Sequence, residues 1–303
     1  MSGWVPDVDL VQVLGAVEVL RRPELAGRTV VVGGHGDPSE RAVVSTASYE
    51  ARQFGVRSGM PLKTAARRCP EAVFLPVDFP VYEAASAQVM DTLRAFPGTV
   101  VELLGWDEAF VGFDGDDPEA IARALQAAVL DATGLHCSVG IGDTKVRAKI
   151  ATGFGKPRGV YRLTRLNWME VMGDRPTTAL WGVGNRIAGR MAGLGISTVR
   201  ELAEAPDGPL IGEFGPNTGP HLGRLGRGAG SAIVDDTPWV ARAHGHEMTY
   251  QRGLPTAAEV GSALRTLANP VLGDLQHGAR GCAWCNLKGL LPTILHLTRA
   301  RQH

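Results

Sequence analysis

The 303-residue sequence predicts an α+β protein, and three observations carry that expectation. Short apolar runs rich in valine recur at residues 8–11, 29–33, 41–46, 100–103 and 136–141, each of strand length. Between them lie segments whose apolar residues repeat at helical spacing, such as 82–96 and 118–132. Gly or Pro marks many junctions, as at Gly33-Gly34, Gly36-Asp37-Pro38 and Gly134. This alternation predicts helices stacked on one face of a sheet.

Taken in order, the strand at Val8-Asp9-Leu10-Val11 leads into a short helix of small and apolar residues from Gln12 to Glu18. A strand over 29–33 ends at paired glycines, and another over 41–46 runs into a two-turn helix closed by Gly55. Pro61 opens a basic helix to Arg68. After the amphipathic helix of 82–96, residues 100–113 read as two strands flanking Gly105, with Asp107 and Glu108 at their junction. Asp116-Asp117-Pro118 starts the next helix and Gly134 ends it. A strand over 136–141 and a helix from Asp143 to about Phe154, carrying Lys145, Arg147 and Lys149, complete this half.

Composition sets limits. With 44% hydrophobic and 20% charged residues the chain is globular in character, and its length suggests several domains. No apolar run approaches the roughly 20 residues needed to span a bilayer. No basic and then apolar leader opens the chain, so a cytoplasmic protein without a membrane partner is expected. The net charge of zero hides an asymmetry: residues 1–144 carry 11 basic and 20 acidic side chains, residues 145–303 carry 20 and 11. An acidic front and a basic rear suit a protein that grips a phosphate backbone behind a metal site, although solvated surface charge can cluster by chance. Cys69 and Cys137 sit in apolar surroundings and read as buried thiols. Cys282-Ala-Trp-Cys285 is a lone CxxC, and a zinc site would have to recruit His277 and His296 to reach four ligands.

The chemistry centres on the acids. Adjacent Asp107 and Glu108 repel each other and, in an apolar hairpin, need compensation, most simply by a divalent cation. Asp9 lies in another apolar strand; if the strands are neighbours, three carboxylates converge. Hard oxygen ligands suit Mg²⁺, with Mn²⁺ accepting the same set, and the implied chemistry is phosphoryl transfer with two ions. Thr46, Tyr49 and Arg52 recur every third residue and fall on one helical face able to bind a polyphosphate. Lys156, in a Gly-Lys-Pro turn, offers a further point charge. Gly182-Val183-Gly184 opens a pair of short helices that resembles a helix-hairpin-helix element, whose backbone N–H groups meet a DNA phosphate. Residues 214–230 read as a weaker second copy.

Together these residues resemble a Y-family, translesion-type DNA polymerase of the DinB branch. The motifs are Asp9 with Glu18 nine residues on, the stretch 45–56, Trp106-Asp107-Glu108-Ala109, Ser138-Val139-Gly140-Ile141, Ala148-Lys149-Ile150-Ala151, Gly155-Lys156-Pro157 and Gly182-Val183-Gly184. The resemblance implies a right hand: palm at 1–11 and 79–168, fingers at 12–78, thumb at 169–236, a linker at 237–243 and a little finger from 244. It implies a low-fidelity, template-directed polymerase in which Asp9, Asp107, Glu108 and the Leu10 carbonyl hold two Mg²⁺ ions. Thr46, Tyr49, Arg52 and Lys156 would hold the triphosphate of a dNTP, and the thumb would hold primer-template DNA. A non-catalytic DNA-binding relative of the same fold is the alternative.

Departures from the family pattern are informative. Val11 stands where a second Asp is common and Val13 where an aromatic is usual. Asp7 precedes Asp9 by two, but the spacing to Glu18 selects Asp9 as the metal ligand. Leu14 occupies the sugar gate, usually Tyr or Phe, which predicts weak exclusion of ribonucleotides, as in the Leu-gated mycobacterial subgroup. In the little finger a strand over 244–250 and a helix over 257–276 are expected. From His277 the alternating pattern is lost, as in a truncated or frame-shifted tail, and no clamp-binding peptide is evident.

Overall fold

A computed structural model describes residues 3–238, 240, 243, 245–277, 284–290 and 296–302. It divides into two compact units, residues 1–38 with 43–238, and residues 39–42 with 239–303.

The first unit is built on a five-stranded sheet in the order β5-β6-β1-β7-β8. Its strands are β1 (Gly3–Leu10), β5 (Val100–Leu103), β6 (Glu108–Asp114), β7 (Cys137–Gly142) and β8 (Val160–Leu163). β1 lies at the centre, antiparallel to both neighbours, with Asp9 opposite Glu108 on one side and Ser138 on the other. Strand alternation then sorts its side chains. Val8 and Leu10 enter a core with Val89, Met90 and Leu93 of α4 (Phe79–Ala95) and Leu125 and Val129 of α5 (Pro118–Thr133). Asp7 and Asp9 face the opposite side. That side is covered by α6 (Lys145–Gly155), so helices occupy both faces of the sheet rather than the single face expected.

The approach of α6 to β7 depends on two glycines. A Cβ on Gly140 would lie 2.1 Å from the Thr152 nitrogen and 2.2 Å from the Ala148 oxygen, and one on Gly142 would lie 2.4 Å from the Ala148 nitrogen. Thr144 caps the helix, its hydroxyl accepting from Arg147 N–H at 3.3 Å. Asp117 caps α5 and Gly134, at φ 69°, closes it.

A smaller sheet, β3-β2-β4, joins β2 (Val30–Val32), β3 (Thr46–Ala47) and β4 (Val73–Leu75). Around it lie α1 (Val13–Arg21), α2 (Tyr49–Gln53) and α3 (Leu62–Arg68). The strand expected over 41–46 shrinks to Thr46–Ala47, because Val44 N–H bonds Met60 O and Val43 bridges Pro61 instead of extending the ladder. Glu18 of α1 is buried at 1% exposure and accepts from the Tyr82 hydroxyl at 2.8 Å, with Arg21 and Arg22 at 3.2 and 3.1 Å. A carboxylate so placed is compensated by two hydrogen bonds on Oε1 and by the charge of Arg22 beside Oε2.

A second core forms between α6, α7 (Trp168–Met172), α8 (Asn185–Ala192), α9 (Val199–Glu204) and α10 (Asp207–Gly226). Buried Trp168 ties its ends together, donating to Gly226 O at 2.8 Å. α9 opens with a Thr198–Glu201 capping box. α10 joins two helical stretches across a non-helical Gly215, φ 84°, and the second stretch falls within 214–230, where a second copy of the helical pair was expected.

In the second unit α11 (Ala257–His277) matches expectation. Residues 245–250 form no strand, whereas β9 (Trp284–Leu290) and β10 (His296–Gln302) pair antiparallel in the tail expected to lack strands. The alternation there is obscured by Lys288, Gly289 and the charged residues of β10, which paired backbone tolerates. His244 and Cys282 lie outside the described residues. Cys69 and Cys137 are buried free thiols, as expected.

Candidate active site

The sheet order brings the acids together. Asp9, at the end of β1, faces Glu108, the first residue of β6, as a cross-strand pair. Like charges so placed repel and need a cation between them. Leu10 N–H donates to the Asp107 carbonyl at 2.8 Å, which extends the β1–β6 ladder by one residue and fixes Asp107 at its mouth. Leu104 and Gly105 N–H both donate to Glu108 O, closing the turn that carries the acidic pair.

The tightest cluster of carboxylates is Asp7, Asp9 and Glu108, whose oxygens lie within 4.8 Å of one another. Asp107 is adjacent but outside this group, with its residue exposed. Its pKa is raised, by desolvation within the cleft and then by Asp9 and Glu108.

Asp7 belongs to the site although its spacing did not select it. It is fully buried, and its Oδ2 accepts from Thr152 Oγ1 at 2.5 Å. Its Oδ1 has no hydrogen-bond partner. Burial pushes its pKa up to about 6 against the opposing pull of Lys149 and Thr152. The signal was available: Asp7 and Asp9 are two apart on one strand and must share a face.

Two lysines from α6 and its end stand among these acids. Lys149 Nζ is 3.3 Å from Asp9 Oδ2 and 3.6 Å from Asp7 Oδ2, and it hydrogen-bonds Glu108 Oε2. Burial opposes its charge, but Asp7, Glu108 and Asp9 outweigh that and raise its pKa. Lys156 Nζ lies 2.8 Å from Asp9, as its place after the helix allows. Lys149 projects from α6 itself, whereas Lys156 is the extended residue that ends it, so the two reach the cluster from the helix face and from the helix end.

The other expected residues lie elsewhere. Tyr49 and Arg52 share a face of α2, the guanidinium 5.5 Å from the Tyr49 ring. Arg52 Nε donates to Ala47 O at 2.9 Å. Thr46 is not on that helix but in β3, because Ser48 caps α2, accepting from Ala51 N–H at 3.2 Å. Leu14, in the first turn of α1, is partly buried and packs on the core of the five-stranded sheet. Its neighbour Gln12 holds a left-handed backbone, φ 50°. Gly182, at φ 81°, and Gly184, the cap of α8, have nothing within 4 Å of a built Cβ, so the backbone turn is open to a partner. Val183 is 5% exposed and anchors the turn in the second core.

The donor set fits hard divalent cations: it consists of carboxylates, and ammonium groups already gather on the oxygens of Asp9 and Glu108. Residues 8–153 match the sequence model of the impB/mucB/samB family. DNA polymerase IV 2 of Mycobacterium bovis is 50% identical over 91% of this chain and 81% of its own length. The chain belongs to the DNA polymerase IV family. DNA polymerase IV of Desulfatibacillum aliphaticivorans is 32% identical over 97% of this family member and 74% of the relative. The fold is that of Y-family polymerases. A Y-family DNA polymerase chimera superposes with TM-score 0.84 at 22% identity, over 99% of this chain and 88% of its own. DinB from Sulfolobus solfataricus gives 0.68 at 22% identity, over 99% and 87%. Among the described residues no helix is long and apolar enough to cross a membrane.

Proposed function

We propose that this DNA polymerase IV family member is a template-directed, low-fidelity DNA polymerase acting in translesion synthesis, extending a primer with dNTPs and with relaxed exclusion of rNTPs. The observation that carries the reading is Asp9 and Glu108 as a cross-strand pair, Asp107 at the mouth of the same ladder and two lysines beside them. Asp9, Asp107 and Glu108, with the Leu10 carbonyl, would hold two Mg²⁺ ions, and Mn²⁺ accepts the same oxygens. When bound, such ions lower the pKa of the attacking hydroxyl and neutralise charge on the leaving phosphate.

The primer 3′-oxygen bonds the α-phosphorus of the incoming nucleotide, the bond to the β-phosphate oxygen breaks, and pyrophosphate leaves. Lys156 supplies a point charge, 41% exposed and free to turn from Asp9 toward a triphosphate. Arg52 and Tyr49 add a guanidinium and a hydroxyl from α2, with Thr46 at its root. Leu14 would pack under the sugar, where a branched aliphatic chain excludes a 2′-hydroxyl less strictly than a ring. The open turn at Gly182-Val183-Gly184 offers backbone N–H groups to a DNA phosphate.

Primer extension on a primed template with Mg²⁺ or Mn²⁺, supplied with dNTPs or rNTPs, tests the reading beside an Asp107→Ala control. Extension abolished by the control supports it. DNA binding without extension under either metal would overturn it in favour of a non-catalytic DNA-binding role.

A further inference from the structure

Asp7 has no place in the mechanism above, yet it is the most buried acid of the cluster. It lies on the central strand, hydrogen-bonded on both edges, at 0% exposure. One of its oxygens is anchored by Thr152 and the other is buried without a partner. A buried carboxylate oxygen left unpaired is costly unless a cation uses it in some state of the protein. The nearest cation is Lys149, 3.6 Å from the anchored oxygen of Asp7.

Lys149 is shared among three clustered acids. It pairs with Asp9 and Glu108, the groups that would hold metal, and lies 3.6 Å from Asp7, which the proposed metal set does not use. A divalent ion binding Asp9 and Glu108 competes with the ammonium for the same oxygens, at close range and with twice the charge. The displaced ammonium is only 17% exposed and remains tethered to α6, so it cannot simply enter water. It needs another counter-ion within reach of a side-chain rotation.

We infer that Asp7 is a positioning residue that receives the Lys149 ammonium when a divalent ion takes Asp9 and Glu108, so that Lys149 is a built-in competitor of the metal and Asp7 sets how readily it yields. The inference rests on the proposed metal role of Asp9 and Glu108. Thr152 contributes by holding Asp7 in one orientation, its hydroxyl also donating within reach of Ala148 O at 3.0 Å. The unpartnered Oδ1 is the position the ammonium takes up.

The test is Mn²⁺ binding to the full chain at pH 8, with free ion read by electron paramagnetic resonance. Four proteins are compared: wild type, Asp7→Asn, Lys149→Gln and the double variant. Asparagine keeps an acceptor for Thr152 and removes only the charge. Lys149→Gln removes the competitor and is expected to tighten Mn²⁺ binding by about tenfold, within the usual range of coupling between sites. Asp7→Asn leaves the ammonium no alternative and is expected to weaken binding by about tenfold in the wild-type background, and by less than about threefold when Lys149 is already Gln. A merely structural role for Asp7 would weaken both backgrounds alike. Equal losses in both backgrounds, or no loss in the wild type, overturn the inference. Absence of Mn²⁺ binding by all four proteins would instead remove the metal reading on which it stands.

Discussion

Gly140→Ala is expected to damage the five-stranded sheet more than any other single methyl addition on β7. The added Cβ would lie 2.1 Å from a backbone nitrogen and 2.2 Å from a backbone oxygen of α6. Ordinary contact begins near 3.5 Å, so the strand and helix must separate by roughly 1 Å or more. Neither contacting atom belongs to a side chain that can rotate away. Overpacking of this kind costs about 1–3 kcal/mol, and a backbone clash on both sides sits at the top of that range. For a unit of this size about 3 kcal/mol lowers the unfolding midpoint by roughly 6–12 °C. The same shift moves Lys149 and Lys156 away from the acids, and a 1 Å misplacement can cost about a hundredfold in rate. Gly153→Ala is the matched control: it lies on the same helix, nothing approaches its built Cβ, and it should stabilise by about 0.5–1 kcal/mol through helix propensity. Thermal unfolding and primer-extension rates measured on both variants decide the matter. A Gly140→Ala protein that melts with the wild type and extends primers at its rate would refute the packing argument.

Asp7→Asn should stabilise the protein above neutral pH. A folded pKa near 6 against an unfolded 3.8 means that folding favours the protonated acid, so its contribution is fully present below about pH 4 and is lost as pH rises through about 6. The gain in the variant is on the order of 3 kcal/mol at pH 8 and vanishes near pH 4, read from denaturant midpoints across that range. Leu14→Phe should sharpen the preference for dNTP over rNTP by roughly 10- to 100-fold, measured as a ratio of kcat/KM values; an unchanged ratio would remove Leu14 from the gate. Glu18→Gln removes the buried partner of Arg21 and Arg22, both more than a third exposed, and should cost about 1 kcal/mol of stability, seen in thermal unfolding. Asp78, 2.9 Å from the same Arg21 nitrogen, keeps that guanidinium paired in the variant.

Much of the five-stranded sheet was legible because burial there follows a simple period. The junction of Asp107 and Glu108, the β1 acid and the helix carrying Lys149 are each marked by an apolar run broken by charge. Thr46 was misplaced because three-residue spacing describes a helix face only inside a helix, and Ser48 caps α2 after it. Asp7 was set aside because one acid at the right distance from Glu18 satisfies the motif. That both acids share a strand face becomes compelling only once α6 is known to cover it. Arg147 was placed on its helix with nothing to mark it as buried. It is 6% exposed, paired with Asp143 at 2.8 Å and donating to Arg227 O, a long-range closure that spacing cannot announce. The hairpin of β9 and β10 was missed for the opposite reason, since backbone pairing needs no alternation of side chains.

The central strand β1 has one further consequence, for how this gene tolerates change. Its even positions, Val8 and Leu10, fill the core, while its odd positions, Asp7 and Asp9, line the reaction face, and partners on both edges lock that assignment. A one-residue slip of β1 against β6 and β7 would exchange the two sets, driving two carboxylates among valines and leucines and placing alkyl groups where charge is needed. Folding and catalysis would fail together. Lineages of this protein should therefore accept substitutions in β1 while almost never accepting a change in its length.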